Sequence, residues 1–274
     1  MANLSRRIYN SQTLSIPGLG AVPVKNISVS RERPMEPMMM IGVLKGGNQH
    51  QKGPETFKID VKCFMTSALN TTAFKALFVN TQKGTPTAIS MTDGFSATAV
   101  LTSINIDSSV GEFVEMSLSF QGIGDPEIST STAPIGADVG GAAAATVLDS
   151  SNVTLVDPFG TTVKSFKYSF EMPVEPFFTY NNSTFVGKST AIMSDNSMTL
   201  IGKAPYKSSL SIEGTSVMQP VATRGTTITG PTVGGMSLNL SNAVLKSFSV
   251  SQTPGEIGAA FSASYEGTSS SFID

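Results

Sequence analysis

A single cysteine, a single histidine and no tryptophan in 274 residues remove several kinds of chemistry at once. With Cys63 alone, no intramolecular disulfide forms within the chain. One Cys and one His fall short of the ligands that a zinc site of the usual kind requires. A Ser-His-Asp triad would have to use His50, and no Gly-x-Ser-x-Gly elbow accompanies it. The phosphate-cradling Gly-x-x-x-x-Gly-Lys-Ser/Thr and the metalloprotease His-Glu-x-x-His are also missing. Aromatic residues amount to 8%, which leaves little from which to build a sugar-stacking cleft. A glycosidase-type carboxylate pair is the one catalytic arrangement left open, because its members meet only in the fold. The expectation is a non-enzymatic chain with no cofactor, no metal and no catalytic residues.

Charge is scarce as well. Charged residues make up 14%, against roughly 25% in an ordinary globular chain, and the formal net charge is −2. The basic residues are scattered. Arg6–Arg7 and Arg31/Arg33 form the densest groups and read as surface or interface pairs, not as the patch a phosphate binder needs. The longest apolar runs, Met38–Leu44 and Ala142–Leu148, are far shorter than the ~20 residues of a membrane-spanning helix. No membrane anchor is expected. The start MANLSRRIYN continues into polar residues and Pro, without the apolar segment of a secretory signal, so assembly in a cytoplasm is expected. The Asn-x-Ser/Thr triplets at Asn70 and Asn152 are then coincidental in so Ser/Thr-rich a chain.

Ser, Thr, Asn and Gly are abundant, over a 40% hydrophobic content sufficient for a core. Phe57, Ile59, Val61, Cys63 and Met65 alternate with polar residues, which makes Cys63 a small buried residue on a strand face. The lone His50, in GGNQHQKG, is expected in a loop.

The chain repeats itself. Residues 24–37, VKNISVSRERPMEP, recur at residues 163–176 as VKSFKYSFEMPVEP, an offset of 139 (Val24 to Val163). Lys25/Lys164, Ser30/Ser169, Pro34/Pro173, Glu36/Glu175 and Pro37/Pro176 coincide, with the apolar pairs Ile27/Phe166 and Val29/Tyr168 in the same match. Later, AVLTS at 99–103 faces AVLKS at 243–247, Gly111–Glu112 faces Gly255–Glu256, and SLSFQG at 117–122 faces SASYEG at 262–267. A weaker pairing sets Phe57–Val61 against Ser208–Ile212. The matches keep their order, and loops absorb the changes of offset. Residues 126–150, rich in Ala, Gly, Ser and Thr, lie between the copies. The predicted organisation is an N-terminal arm 1–22, domain 1 at 23–125, a linker or extended arm 126–150, and domain 2 at 151–274.

Strand signals dominate: 23–31, 55–66, and a hairpin of 97–107 and 112–121 across SSVG. Val100, Ile104 and Ile106 are assigned to one face, and Ser103, Asn105 and Asp107 to the other. Val114, Met116, Leu118 and Phe120 are assigned inside, and Glu115, Ser117 and Ser119 outside. The second copy repeats the hairpin as 243–251 and 256–266 around QTPG, with Ser247, Ser249, Ser262 and Ser264 on its polar face. A short helix is predicted over 71–79, capped by Asn70 or Thr71, with Ala73/Leu77 and Phe74/Phe78 at i,i+4 spacing. Pro220 and Gly225 shorten or remove it in the second copy. The Pro-x-Glu-Pro groups (Pro34, Glu36, Pro37; Pro173, Glu175, Pro176) withdraw two backbone donors and mark strand ends where pairing stops, as candidate interface positions. Glu36/Glu175 and Glu112/Glu256 remain open as subunit-contact, channel-facing or solvated turn carboxylates. The fold class expected is mainly β: two tandem β-sandwich or half-barrel domains, each with at most one short helix.

The strand 55–66 followed by helix 71–79, and the hairpins 97–121 and 243–266, resemble the tail-tube fold of tailed bacteriophages and related contractile injection systems. That resemblance implies a structural virion protein of the tail, assembled in the host cytoplasm. Its domains would pack side by side into rings stacked as a tube, trimeric with pseudo-sixfold symmetry where each chain carries two domains. Double-stranded DNA would pass through without specific binding, and sheath, baseplate and tape-measure proteins would be neighbours. The polar residues Ser103, Asn105, Asp107, Glu115, Ser117, Ser119, Ser247, Ser249, Ser262 and Ser264 are then candidates for the lumen, although face alone does not separate lumen from outer surface. The arm and linker are candidate ring-to-ring contacts. A baseplate tube-initiator or head–tail connector is the alternative within that class. A carbohydrate- or receptor-binding β-sandwich, hinted at by Phe177–Phe178 and Tyr180, is the alternative outside it.

Overall fold

Period-two alternation commits most of this chain to strands with one buried and one solvated face, and the computed structural model is mainly β. It describes residues 13–17, 19–37, 49–51, 54–67, 70, 72–74, 76–77, 85–91, 95–124, 126–128, 147–154, 162–172, 174–178, 183–187, 194–204, 231–240, 243–251 and 259–269. The strands are β1 (Thr13–Ile16), β2 (Gly20–Glu32), β3 (Met35–Pro37), β4 (Gln49–Gln51), β5 (Thr56–Phe64), β6 (Thr87–Met91), β7 (Phe95–Ser109), β8 (Glu115–Ile123), β9 (Glu127–Ile128), β10 (Val153–Thr154), β11 (Thr162–Glu171), β12 (Val174–Phe178), β13 (Ser183–Gly187), β14 (Ser194–Ala204), β15 (Thr232–Val233), β16 (Met236–Ser237), β17 (Val244–Ser251) and β18 (Ala259–Ser269).

The first copy is a closed barrel, β7-β6-β1-β2-β5-β8, with β8 returning to β7. Its interior holds Leu14, Ile16, Ile59, Val61, Cys63, Ile89, Ile104, Met116, Leu118 and Phe120, all essentially out of contact with water. Closure removes the exposed edges that an open sheet of this size would leave. Residues 72–74 and 76–77 are helical, with Phe74 and Leu77 buried. Asn70 is the cap, its Oδ1 accepting from the Ala73 N–H at 3.1 Å.

The second copy follows the same plan. Its wall β11-β14-β18-β17 matches β2-β5-β8-β7 strand for strand. The irregularities coincide too. A bulge lies at Lys25 in β2 and at Lys164 in β11, and another at Thr102 in β7 and Lys246 in β17. Bulges are positioned features of a sheet, so their recurrence fixes the alignment of the copies. β10 and β15 pair with each other, as β1 and β6 do in the first copy. The tight Gly234–Gly235 turn, with both φ angles positive, joins β15 to β16.

This alignment corrects several expectations. The counterpart of Phe57–Val61 is Asn196–Leu200 of β14, not Ser208–Ile212, which lies outside the described residues, as do Pro220 and Gly225. Short-range likeness at 208–212 outweighed register, which only the pairing partners define. The bulge at Thr102 shifts the parity of β7. Leu101, opposite Phe120, therefore shares the inner face with Ile104 and Ile106, while Val100, opposite Gln121, is buried on the other side. The arm ends earlier than residue 22: β1 and the start of β2 are barrel staves, with Leu14, Ile16, Leu19 and Val22 in the core. The linker is anchored at both ends. Glu127 and Ile128 pair with β7, and Leu148 sits between Met65 and Val114, donating to the Met65 carbonyl and accepting from the Val114 N–H, each at 2.9 Å.

The Pro-x-Glu-Pro groups stand where the main strands end, but pairing does not stop there. Glu36 and Pro37 run in β3 opposite His50 and Gln49 of β4, so His50 belongs to a strand and not to a loop. Glu175 and Pro176 run in β12 opposite Val186 and Phe185 of β13. Each group opens a two-stranded ribbon that leaves the main sheet. Proline is tolerated because such a strand has an unpaired edge. Pro34 immediately precedes β3, and Pro173 lies outside the described residues. Phe177 and Phe178 are strand residues of the second ribbon, and Tyr180 lies outside the described residues.

Two substitutions test this core. Leu14→Ala should lower stability by about 2–5 kcal/mol in urea denaturation, where a dispensable arm would give no change. A methyl group at Gly122 would stand 1.9 Å from Cζ of the buried Phe57 ring. Gly122→Ala should therefore cost about 1–3 kcal/mol, with part of the loss recovered in the Gly122→Ala/Phe57→Leu chain.

Candidate functional site: a continuous polar sheet face

The two copies meet strand to strand. β7 lies between β8 and β11, and Ser103–Ser109 run antiparallel to Glu171–Ser165. Residues directly opposite one another in an antiparallel pair project from the same face. The face can therefore be traced across the sheet by register alone. In the first copy Ser28 lies opposite Asp60, Asp60 opposite Ser119, and Ser119 opposite Ser103. Across the joint Asn105 lies opposite Ser169, Ser169 opposite Ser197, and Ser197 opposite Glu266. Thr199, Ser264 and Ser247 continue one another in the same way, as do Ile201, Ser262 and Ser249.

All ten candidate residues lie on this one face: Ser103, Asn105, Asp107, Glu115, Ser117 and Ser119 in the first copy, and Ser247, Ser249, Ser262 and Ser264 in the second. The face runs along the hydrogen-bonded strands β2-β5-β8-β7-β11-β14-β18-β17. Behind it, the opposite face carries Ile59, Val61, Leu118, Ile104, Phe166 and Tyr168 into the core. Ser28, Lys167, Ser169 and Thr199, not among the candidates read from the sequence, and Asp60, read there only as polar within its strand, belong to the same surface. Their alternation was legible, but the β7–β11 pairing that aligns the copies was not.

The face is polar and carries charges of both signs, several of them paired. Ser119 Oγ donates to Asp60 Oδ1 at 2.5 Å, and Ser169 Oγ donates to Asn105 Oδ1 at 2.6 Å across the joint. Lys25 reaches over the Phe64 ring, 5.7 Å from its centroid, to pair with Glu115. Lys246 pairs with Glu266 at the matching bulge of the second copy. At the open end of β2, on the side of the sheet that carries Phe57, Glu55 accepts from Arg33 at 2.7 Å and Arg31 at 2.9 Å. The Arg33 hydrogen bond is the main reason its carboxyl sits below the usual range. Ile201, 47% exposed, is an apolar interruption. An open depression of about 610 Å³ borders this surface, with Ser30, Arg31, Glu32, Lys58, Gln121 and Met172 among its lining residues.

Cys63 is buried in the barrel, its thiol pushed up to about 12 by desolvation. Glu112 sits at the exposed tip of the first hairpin, its N–H donating to Ser109, while Glu256 lies outside the described residues. Among the described residues, no group of three His, Cys, Asp or Glu side chains is placed to hold a metal ion. No helix among them is long and apolar enough to cross a membrane.

Asp107 lies opposite both Lys167 and Glu115. Its carboxyl is held above the ordinary value, first by burial and then by the Glu115 charge. A raised carboxyl pKa means that the folded chain holds this proton more tightly than the unfolded one, so ionisation of Asp107 opposes folding. Asp107→Asn should raise the urea midpoint at pH 7. The gain should disappear as the pH falls through the folded value to below the ordinary carboxylate pKa of about 3.9; a gain that persisted there would assign the effect to packing.

Comparison with protein-family models gives no match for this chain, and comparison with the curated proteins gives none either.

Proposed function

We propose that this chain is a self-assembling structural protein whose copies join edge to edge into rings that stack as a tube, the tail tube of a bacteriophage being the assembly it fits. One observation carries this reading: the joint between the two internal copies continues one sheet, with one polar face, through a strand pairing that a further copy can repeat. A head-to-tail contact of this kind is heterologous, and it either closes into a ring or propagates. Ring closure also disposes of the strand edges at the two ends of the eight-strand run, which would otherwise invite uncontrolled pairing.

The placement of bulk supports the polar face as the lumen. The staves β1 and β6, the helical turn and the strands β10, β15 and β16 all contribute to the core on the apolar side. Units wider on that side close with it outward and the polar face inward. A conduit for DNA must not retain it. Each phosphate contact adds salt-dependent affinity, and a surface of Ser, Asn, Thr and carboxylates, with Lys25, Lys58 and Lys246 paired to acids, offers few such contacts. Tandem fusion makes half of the ring joints intramolecular and raises the effective concentration for the others. Three chains then make a ring of six copies.

Purified full-length protein should form stacked rings in negative-stain microscopy, with three chains per ring by native mass spectrometry. Six chains per ring would overturn the trimeric arrangement, and single discs that never stack would favour a tube-initiating or connector role. For the lumen, Ser117→Cys and Ser264→Cys should react with a small maleimide before and after assembly, but with a maleimide on a bulky polymer only before. Equal labelling of assembled tubes by the bulky reagent would place this face outside.

A further inference from the structure

The internal joint specifies the external one residue by residue. β11 corresponds to β2 and β7 to β17, with the alignment fixed by the shared bulges. The pairing of β11 with β7 can therefore be transferred to β2 of one chain and β17 of another. We infer that β2 and β17 form the intermolecular joint in one register: Ser28 opposite Ser251, Val29 opposite Val250, Ser30 opposite Ser249, Arg31 opposite Phe248 and Glu32 opposite Ser247. The occupant of each edge is a second copy of this chain, and the inference rests on the self-assembly proposed above.

Three features of the two edges fit this occupant. β1 pairs with β2 only over Gly20–Pro23, and among the described residues no strand takes the same edge beyond that point. β6 and β11 divide one edge of β7 in the same manner, over Ser96–Ala99 and Ser103–Ser109 respectively. β17 is the terminal strand of the sheet, and among the described residues β18 is its only partner. Finally, Ile27 and Val29 are half-buried, whereas their counterparts Phe166 and Tyr168 are fully buried at the internal joint. Tyr168 lies opposite Ile106 there, and the proposed register sets Val250 against Val29 in the same way. An apolar residue on the outer strand is left half-covered in the single chain and is covered once a copy arrives.

The two joints differ at one end, which gives the external one a polar character of its own. Where the internal joint has the buried Phe170 and Met172, β2 carries Arg31 and Arg33 on Glu55. The Met172 N–H donates to the Thr102 carbonyl at 2.7 Å. The corresponding external bond runs from the Arg33 N–H to the Lys246 carbonyl. A joint made between separate chains is thus more hydrophilic than the one made within a chain, as required of a surface that meets water before assembly.

The test is cysteine cross-linking with a short bis-maleimide on full-length chains, Cys63 being buried and unreactive. S28C/S251C and S30C/S249C should each give a ladder of covalent multimers. S28C/S247C, displaced by four residues or about 13 Å along the strand, should give at least tenfold less. D107C/K167C should cross-link within the chain as a positive control for the internal joint. Equal yields from S28C/S251C and S28C/S247C would overturn the register, and dimers from S28C alone would indicate β2 pairing with β2 and overturn the head-to-tail joint. Rings in the microscope without in-register ladders would sink this inference while leaving the assembly reading intact. In-register ladders without rings would do the reverse.

Discussion

The antiparallel pairing of β7 with β11 organises the rest of this molecule. It turns two barrel-like copies into one sheet, aligns their polar faces and buries Phe166, Tyr168 and Phe170 against Ile104 and Ile106. Because β7 is long enough to serve β6 at one end and β11 at the other, the first copy closes its barrel and still offers an edge to the second. The bulge at Thr102 stands where the partner changes. A bulge bends a strand and increases its twist, which allows one strand to belong both to a tightly curved barrel and to an extended wall.

The copies have diverged where their surroundings differ. At the inner joint, β11 is covered on both edges and carries aromatic residues on its core face. At the outer end, β2 carries Ile27 and Val29, half-buried, followed by the Arg31–Arg33–Glu55 cluster. The same backbone positions are therefore apolar where the contact is permanent and charged where the edge meets solvent. Ion pairs this exposed contribute little to stability. Charged side chains at a strand end also discourage uncontrolled edge pairing.

Much of this was legible in the sequence, and the parts that were not share a cause. The strands 23–31, 55–66, 97–107 and 112–121, the Asn70 cap and the burial of Cys63 follow from local alternation and capping chemistry, and they stand in the fold with small changes of boundary. The repeat at Val24/Val163 fixed the equivalence of β2 and β11. What local pattern did not carry was register across distant strands. The weak match at 208–212 misplaced the counterpart of β5, the Thr102 bulge reversed the side assigned to Val100, and β1 was assigned to an arm because four residues hold too little periodicity to announce a stave. The polar face was visible as separate strips; their union required the β7–β11 joint, a contact between residues more than fifty positions apart.

Composition and architecture bear on each other through that face. A sheet covered on one side and solvated on the other is ordinarily rimmed with Lys and Glu, which keep its surface soluble and its edges apart. Here the solvated side is dominated by Ser, Thr and Asn, and three of its acidic residues lie near lysines: Lys25 with Glu115, Lys246 with Glu266, and Asp107 opposite Lys167. The low charge of the chain is thus concentrated in its effect. A surface of hydroxyls and amides is well hydrated yet exerts little long-range field.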